Sequence, residues 1–360
     1  MSPLWESILK ILIGIGLLFG GGEFFVQGAA SLALIFGIPQ LVIGLTVVSL
    51  GTSAPELFVS IGSFLKDSDS LAISNIVGSN IFNVLVVLGS SALVLPLKVE
   101  NRLIKRDVPL LIAASAAVWG IASSGKINWT AGIFLLLALT INTVWEVLNT
   151  KDKNINPQDN DDETNETWIK PTVKILAGII LLSFGTELLV NGAKFLALAY
   201  GLSEAIIGLT IVSVGTSLPE LITSLVATFR GKTDMAIGNV VGSSLLNILL
   251  VLGSCALFSG NNGISIEESL LKRDFPIMFF TAVACMPIFW TKGKISRGEG
   301  GFLLSLYLLY ISSKIIPLSL PSIEENFTFL ISTIIIPLIV IIIIYKSIKY
   351  WHAIKKHNLS

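Results

Sequence analysis

Two glutamates, Glu56 and Glu220, stand in segments otherwise apolar enough to cross a bilayer, each set among hydroxyl and amide side chains. The first segment reads GLTVVSLGTSAPELFVS from Gly44 and continues with SNIVGSNIFNVLVVLG from Ser74. The second reads GLTIVSVGTSLPELITS from Gly208, then GNVVGSSLLNILLVLG from Gly238. A constant offset of 164 residues carries Glu56 onto Glu220, Gly78 onto Gly242 and Asn83 onto Asn247. An ionisable side chain at membrane depth is costly and marks a functional site by default. Two of them related by an internal repeat strengthen that reading.

The chemistry these residue types support is cation binding. Pro55 lacks an N–H and its ring clashes with the preceding turn, so the backbone near Ser49 to Thr52 is expected to be left with free carbonyls. Pro219 does the same around Ser213 to Thr216. Broken helices at membrane depth are tolerated only where they are buried or line a wet cavity. Carbonyl, hydroxyl and carboxylate oxygens are hard ligands, suited to Ca²⁺ and Na⁺. Thr52 and Glu56 are four apart and share a helix face, as do Ser79 and Asn83. Thr216 with Glu220 and Ser243 with Asn247 repeat the pattern. Packing alone explains small and hydroxylated residues in membrane helices, but it does not call for an ionised group.

The elements that must position these residues are membrane helices. The 360-residue chain is 53% hydrophobic and 13% charged, against roughly 25% charged in soluble domains, and its mean hydropathy is +0.82. Apolar windows of about 20 residues recur along it, as spanning helices require. The sequence predicts an all-α polytopic membrane protein with helices at about Trp5–Phe36, Pro39–Leu65, Leu71–Leu95, Leu103–Ala122 and Ile127–Leu148. A second five follow at about Val173–Tyr200, two holding the second motif, then Phe275–Trp290 and Gly300–Ile316. Helices 2, 3, 7 and 8 are expected to be discontinuous, helix 3 near Gly78. The domain expectation is a first repeat over 1–149, a cytoplasmic linker over 150–168, a second repeat over 169–316, and an extra helix (Phe327–Tyr345) with a basic tail over 317–360.

Five crossings per repeat invert the second repeat in the membrane, an architecture characteristic of secondary transporters. With the N-terminus outside, 17 of the 24 Lys and Arg residues fall on the cytoplasmic side and 7 outside. The positive-inside rule therefore favours N-out and C-in in a cell (inner) membrane.

Other chemistry is not supported. Cys255 and Cys285 lie in apolar runs without metal-ligand spacing, and His352 and His357 lie near the C-terminus. No nucleophile–base pair is visible, so an enzyme is not expected, nor is a cofactor. The formal net charge of zero gives no hint of a nucleic-acid partner. Glu23 and Glu187 correspond to one another but lie outside the broken-helix motif, and a structural or supporting role is expected for them.

GTSAPEL at Gly51 and GTSLPEL at Gly215, each followed by an (N)xVGSxxxN pattern, resemble the two α-repeats of the cation/calcium antiporter superfamily, prokaryotic sodium/calcium exchanger branch. The resemblance covers about Trp5 to Ile316 and implies a ten-helix core of two inverted five-helix repeats. In that family helices 2, 3, 7 and 8 enclose the ions. It implies direct Ca²⁺ ligation by Glu56 and Glu220 with the carbonyls of Thr52 and Thr216. It implies Na⁺ sites using Ser53, Ser79 and the Ser49 carbonyl, and Ser217, Ser243 and the Ser213 carbonyl, with Asn83 and Asn247 at the central polar positions. Some relatives carry Asp where Asn247 stands, and in potassium-dependent exchangers that Asp is tied to K⁺. Asn247 argues against K⁺ dependence. The eleventh helix lies outside the family pattern.

The resemblance implies an electrogenic antiporter that exports Ca²⁺ against Na⁺ by alternating access, with these ions and the lipid bilayer as its partners. A calcium/proton antiporter is the alternative, in which the two glutamates exchange protons; flanking hydroxyls favour Na⁺. A cation channel ranks lower, because one carboxylate per inverted repeat suits alternating access better. Oligomeric state is not encoded in any motif.

Overall fold

The computed structural model describes residues 3–66, 68–150, 168–200, 213–290 and 293–319. Among them ten helical units follow the expected order. α1 (Pro3–Phe36) is unbroken. α2 comes in two pieces, Gln40–Thr52 and Ala54–Phe64, bent by 43°. α3 spans Asp69–Val94. α4 joins a π turn at Leu103–Asp107 to Val108–Ala122, and α5 is Trp129–Thr150. In the second half α6 is Ile169–Ala199, α7 comprises Ser213–Gly215 and Leu218–Phe229, and α8 spans Thr233–Phe258. α9 joins Leu270–Asp274 to Phe275–Trp290, and α10 is Arg297–Ser319. The linker core at 151–167, the first turns expected for α7 and the eleventh helix (Phe327–Tyr345) lie outside the described residues.

The repeats are inverted, and the contact between their first helices demonstrates it. Gly14, Gly21 and Gly28 recur every seven residues in α1, and Gly178, Gly185 and Gly192 do so in α6. A Cβ on Gly14 would sit 2.8 Å from the Gly185 carbonyl oxygen; on Gly28 it would sit 2.7 Å from that of Pro171, and on Gly192 2.7 Å from that of Ser7. The N-terminal half of one helix therefore meets the C-terminal half of its counterpart. Only glycine permits backbones so close in a membrane interface. Equivalent helices running antiparallel require an in-plane two-fold relation.

Two short ribbons tie the repeats together at opposite ends of α4. β1 (Leu97–Lys98) pairs antiparallel with β4 (Lys294–Ile295), and β2 (Lys126–Ile127) with β3 (Ile264–Ser265). Two-residue strands leave no period-2 signal, so the sequence did not announce them. The most apolar windows of α3 and α8 are 78% and 83% buried, against 28% and 22% for those of α1 and α6. The central position thus belongs to the two helices carrying the VGSxxxN halves of the motif.

Helices 3 and 8 depart from regular α geometry later than expected. Each runs through its glycine, Gly78 or Gly242, and widens into a π turn at Asn83–Leu88 or Asn247–Leu252. Gly78 and Gly242 lack a breaker such as proline, and a glycine alone is tolerated in a packed membrane helix. Single π turns inside α-helices recur at functional positions.

Candidate ion-binding site

The second piece of α2 starts at Ala54 with Pro55 in its first turn, and Ser53 occupies the N-cap. Serine is favoured there because its oxygen accepts from the unbonded N–H groups of the first turn. Ser53 makes no such cap. Its hydroxyl instead donates to Glu220 Oε1 of the other repeat at 3.2 Å. Ser217 at the N-cap of Leu218–Phe229 likewise leaves its own helix uncapped. It donates to Glu56 Oε1 at 3.0 Å, and its oxygen lies 2.9 Å from Ser79 Oγ, whose own proton it can accept. Each glutamate sits in the first turn of its half-helix, where the positive end of the helix dipole favours an anion.

A second layer of crossed contacts runs through two residues that the motif reading passed over. Thr216 Oγ1 donates to Asn75 Oδ1 at 3.0 Å, and Thr52 Oγ1 donates to Asn239 Oδ1 at 3.1 Å. Asn75 Nδ2 then donates to Ser60 Oγ at 3.0 Å, and Asn239 Nδ2 to Ser224 Oγ at 2.9 Å. Thr52 and Ser243 also share a hydroxyl contact of 3.2 Å. All these side chains are buried. Asn75 stands four residues before Ser79, on the same helix face, so its spacing could have revealed it.

Each carboxylate keeps one oxygen, Oε2, without a hydrogen-bond partner among the described residues. The amides of Asn83 and Asn247, one turn beyond Ser79 and Ser243 on the same faces, have neither nitrogen nor oxygen bonded. All four side chains are fully buried. Such groups are costly to bury unpaired, and an oxygen-seeking cation supplies what these oxygens lack. The donor set of two carboxylates, hydroxyls and amides fits Ca²⁺ and Na⁺ as cargo. Among the described residues no group of three or more His, Cys, Asp or Glu could form a conventional metal cage.

Eleven of the twelve residues proposed from sequence thus have their side chains buried on these four helices: Ser49, Thr52, Ser53, Glu56, Ser79, Asn83, Thr216, Ser217, Glu220, Ser243 and Asn247. For Ser213 only the helical backbone is described. Not every expected ligand atom is free. The Ser49 carbonyl accepts the Ser53 amide at 2.9 Å, and the Thr52 hydroxyl oxygen lies 3.3 Å from it. Pro55 removes only the N–H that would reach four residues back, to Gly51, so the helix closes normally onto Ser49. In the second half the Ser217 amide turns to Val214 instead, at 3.1 Å. Glu23 and Glu187 stay outside the site. Glu23 pairs with Arg230 and accepts from Gln27, while Glu187 is exposed.

The family profile described as sodium/calcium exchanger protein matches residues 6–148 and 170–316. The inner membrane protein YrbG of Escherichia coli (strain K12) is 33% identical over 322 residues, covering 85% of this chain and 97% of that protein. The putative antiporter CaxA of Alkalimonas amylolytica is 35% identical over 313 residues, covering 84% and 97%. A solved structure of the sodium-calcium exchanger NCX_Mj superposes with a TM-score of 0.74 at 31% identity, covering 87% of this chain and 99% of that one.

Proposed function

Because the chain belongs to the sodium/calcium exchanger family, we propose that it is an electrogenic antiporter exporting Ca²⁺ in exchange for Na⁺. Membrane transport of cations is the family's activity; the coupling ion and the charge moved are the finer reading. The observation that carries it is the crossed bonding, in which the serine preceding each glutamate binds the glutamate of the other repeat. One central site is therefore built jointly by both repeats, as a transporter that must present the same ions to either face requires.

Glu56 and Glu220 supply two negative charges, while Asn83 and Asn247 supply none. Ca²⁺ matches that pair. Thr52, Ser53, Ser79, Thr216, Ser217 and Ser243 surround it with the oxygens that bare Na⁺ needs, whereas a proton needs no oxygen cage. This favours Na⁺ over H⁺ as the driving ion. The neutral amide at Asn247 favours independence from K⁺. The repeats are assigned to 1–149 and 169–316, with 150–168 as a cytoplasmic linker. The Lys and Arg distribution favours an outside N-terminus.

The test is ⁴⁵Ca²⁺ flux in proteoliposomes under imposed Na⁺, K⁺ or pH gradients. An outwardly directed Na⁺ gradient drives Ca²⁺ uptake and a K⁺ gradient does not. Uptake driven equally well by a pH gradient without Na⁺ would replace this reading by calcium/proton exchange. Cysteine labelling of His357→Cys from the outside would overturn the orientation.

A further inference from the structure

At the end of the molecule where β1 meets β4, a cavity of about 390 Å³ opens between the start of α4 and the end of α9. Ile104, Pro109 and Met286 form its apolar lining, and Trp290, Asn101 and Lys105 its aromatic and polar one. Among the described residues no acidic side chain lines it. In the adjoining ribbon Lys98 stands directly opposite Lys294, and both are exposed. Like charges facing across strands repel, so the ribbon holds a cationic pair that a neutral environment would disfavour.

Among the described residues the neighbouring charges leave Lys105 and Lys294 uncompensated. Arg102 and Arg106 are taken up by Asp107 and Glu146 within α4 and α5. Glu299 accepts the amide and hydroxyl of Ser296 in its own turn. Glu100 and Asp234 are both acidic and lie near Lys98, whose charge they offset. Lys105 and Lys294 make no ion pair among the described residues. At the opposite end of α4 the sibling ribbon places Lys126 opposite Ser265. There Asp69 accepts the Ser265 amide at 2.8 Å and Glu267 accepts the Ser70 hydroxyl at 2.6 Å. The two ribbons thus differ: two lysines face one another in the first, and a single lysine faces a serine beside Asp69 and Glu267 in the second.

We propose that this cavity binds an anionic glycerophospholipid of the adjacent leaflet, its phosphodiester between Lys105 and Lys294 and its glycerol and upper chains against Trp290, Met286 and Pro109. Tryptophan settles at the membrane interface, and basic pockets between membrane helices hold anionic lipid headgroups. The occupant is a lipid rather than a free phosphate because half of the lining is apolar and would gain nothing from a hydrated ion. The inference rests on membrane embedding alone and is independent of which ion drives transport.

Native mass spectrometry of the full chain, delipidated and then equilibrated with equal phosphatidylglycerol and phosphatidylcholine, tests it. Phosphatidylglycerol is retained preferentially, and Lys105→Ala and Lys294→Ala each reduce that preference by about fivefold. Lys126→Ala at the other ribbon leaves it unchanged. Brominated phosphatidylglycerol quenches wild-type fluorescence more than that of Trp290→Phe, a readout that needs no lysine variant. Equal retention of the two lipids, retention unaffected by both lysine substitutions, or displacement by glycerophosphate overturns the proposal.

Discussion

Around Glu56 and Glu220 the crossed bonds to the carboxylates and to Asn75 and Asn239 come in pairs 164 residues apart, whereas around Glu23 and Glu187 the pairing is broken. Ser53 to Glu220 mirrors Ser217 to Glu56, and Thr52 to Asn239 mirrors Thr216 to Asn75. Away from the site, Glu23 pairs with Arg230, but position 66, the counterpart of Arg230, is a lysine with no described bond to Glu187. The helix-start charges diverge further. Asp107 is bound by Arg102 and Arg106, while Asp274 is bound by Arg273, by Lys314 at 3.1 Å and by the Tyr310 hydroxyl at 2.9 Å. Symmetry survives in the buried layer that the two repeats share and lapses towards the periphery. One departure lies at the site itself: the Ser53 amide bonds Ser49, and the Ser217 amide bonds Val214.

The contrast is sharpest in the glutamates. Glu56→Gln and Glu220→Gln each remove one of two charges balancing Ca²⁺ where water screens weakly. Each is expected to lower Ca²⁺ flux by about a hundredfold or more with unchanged membrane insertion, in line with losses of several kcal/mol for unpaired buried charge. Flux near wild type in one variant and absent in the other would break the equivalence of the halves.

Ser53→Ala and Ser217→Ala each delete a hydroxyl bonded to the opposite carboxylate. A hydrogen bond to a charged group is worth about 1.5–3 kcal/mol, so apparent Ca²⁺ affinity falls about tenfold or more in both. Asn75→Ala and Asn239→Ala act one step further out and cost about threefold to tenfold each, measured by the same flux assay. A large effect confined to one repeat would show that the crossed bonds are not functionally matched.

The smallest effects belong to the periphery, and there they are unequal. Glu23→Gln breaks a half-exposed pair with Arg230, worth up to about 1 kcal/mol and less at high salt. Glu187→Gln touches no described partner and shifts thermal stability by no more than about 0.5 kcal/mol. Differential scanning in detergent at two salt concentrations distinguishes them. Equal responses would restore the symmetry that the structure lacks.

Much of this was legible in the sequence because membrane helices announce themselves by apolar length and a buried carboxylate by its contrast with them. The offset of 164 residues placed Glu56 and Glu220 together before any geometry was known. Contacts without a compositional signal were not legible. A serine before a half-helix reads as a cap, and nothing in GTSAPEL reveals that Ser53 and Ser217 spend their hydroxyls across the repeat. Asn75 and Asn239 stood at readable spacing but among many small polar residues. The glycine heptads of α1 and α6 were visible, yet their meaning required knowing that the two helices run antiparallel. The free carbonyl was misplaced because the effect of Pro55 is confined to one hydrogen bond.

The central claim is that the shared site carries two negative charges, supplied by Glu56 and Glu220 and, among the described residues, by no third carboxylate. The resemblance implies about three Na⁺ for each Ca²⁺, so the Na⁺-loaded site would be one unit positive, and a unit charge is worth about 2.3 kcal/mol per 100 mV. Na⁺-driven ⁴⁵Ca²⁺ flux in proteoliposomes, with the potential clamped by valinomycin and K⁺, reads this directly. The account predicts that a potential negative on the side receiving Na⁺ accelerates Ca²⁺ movement the other way, without K⁺ being transported. Flux indifferent to the clamped potential would contradict it.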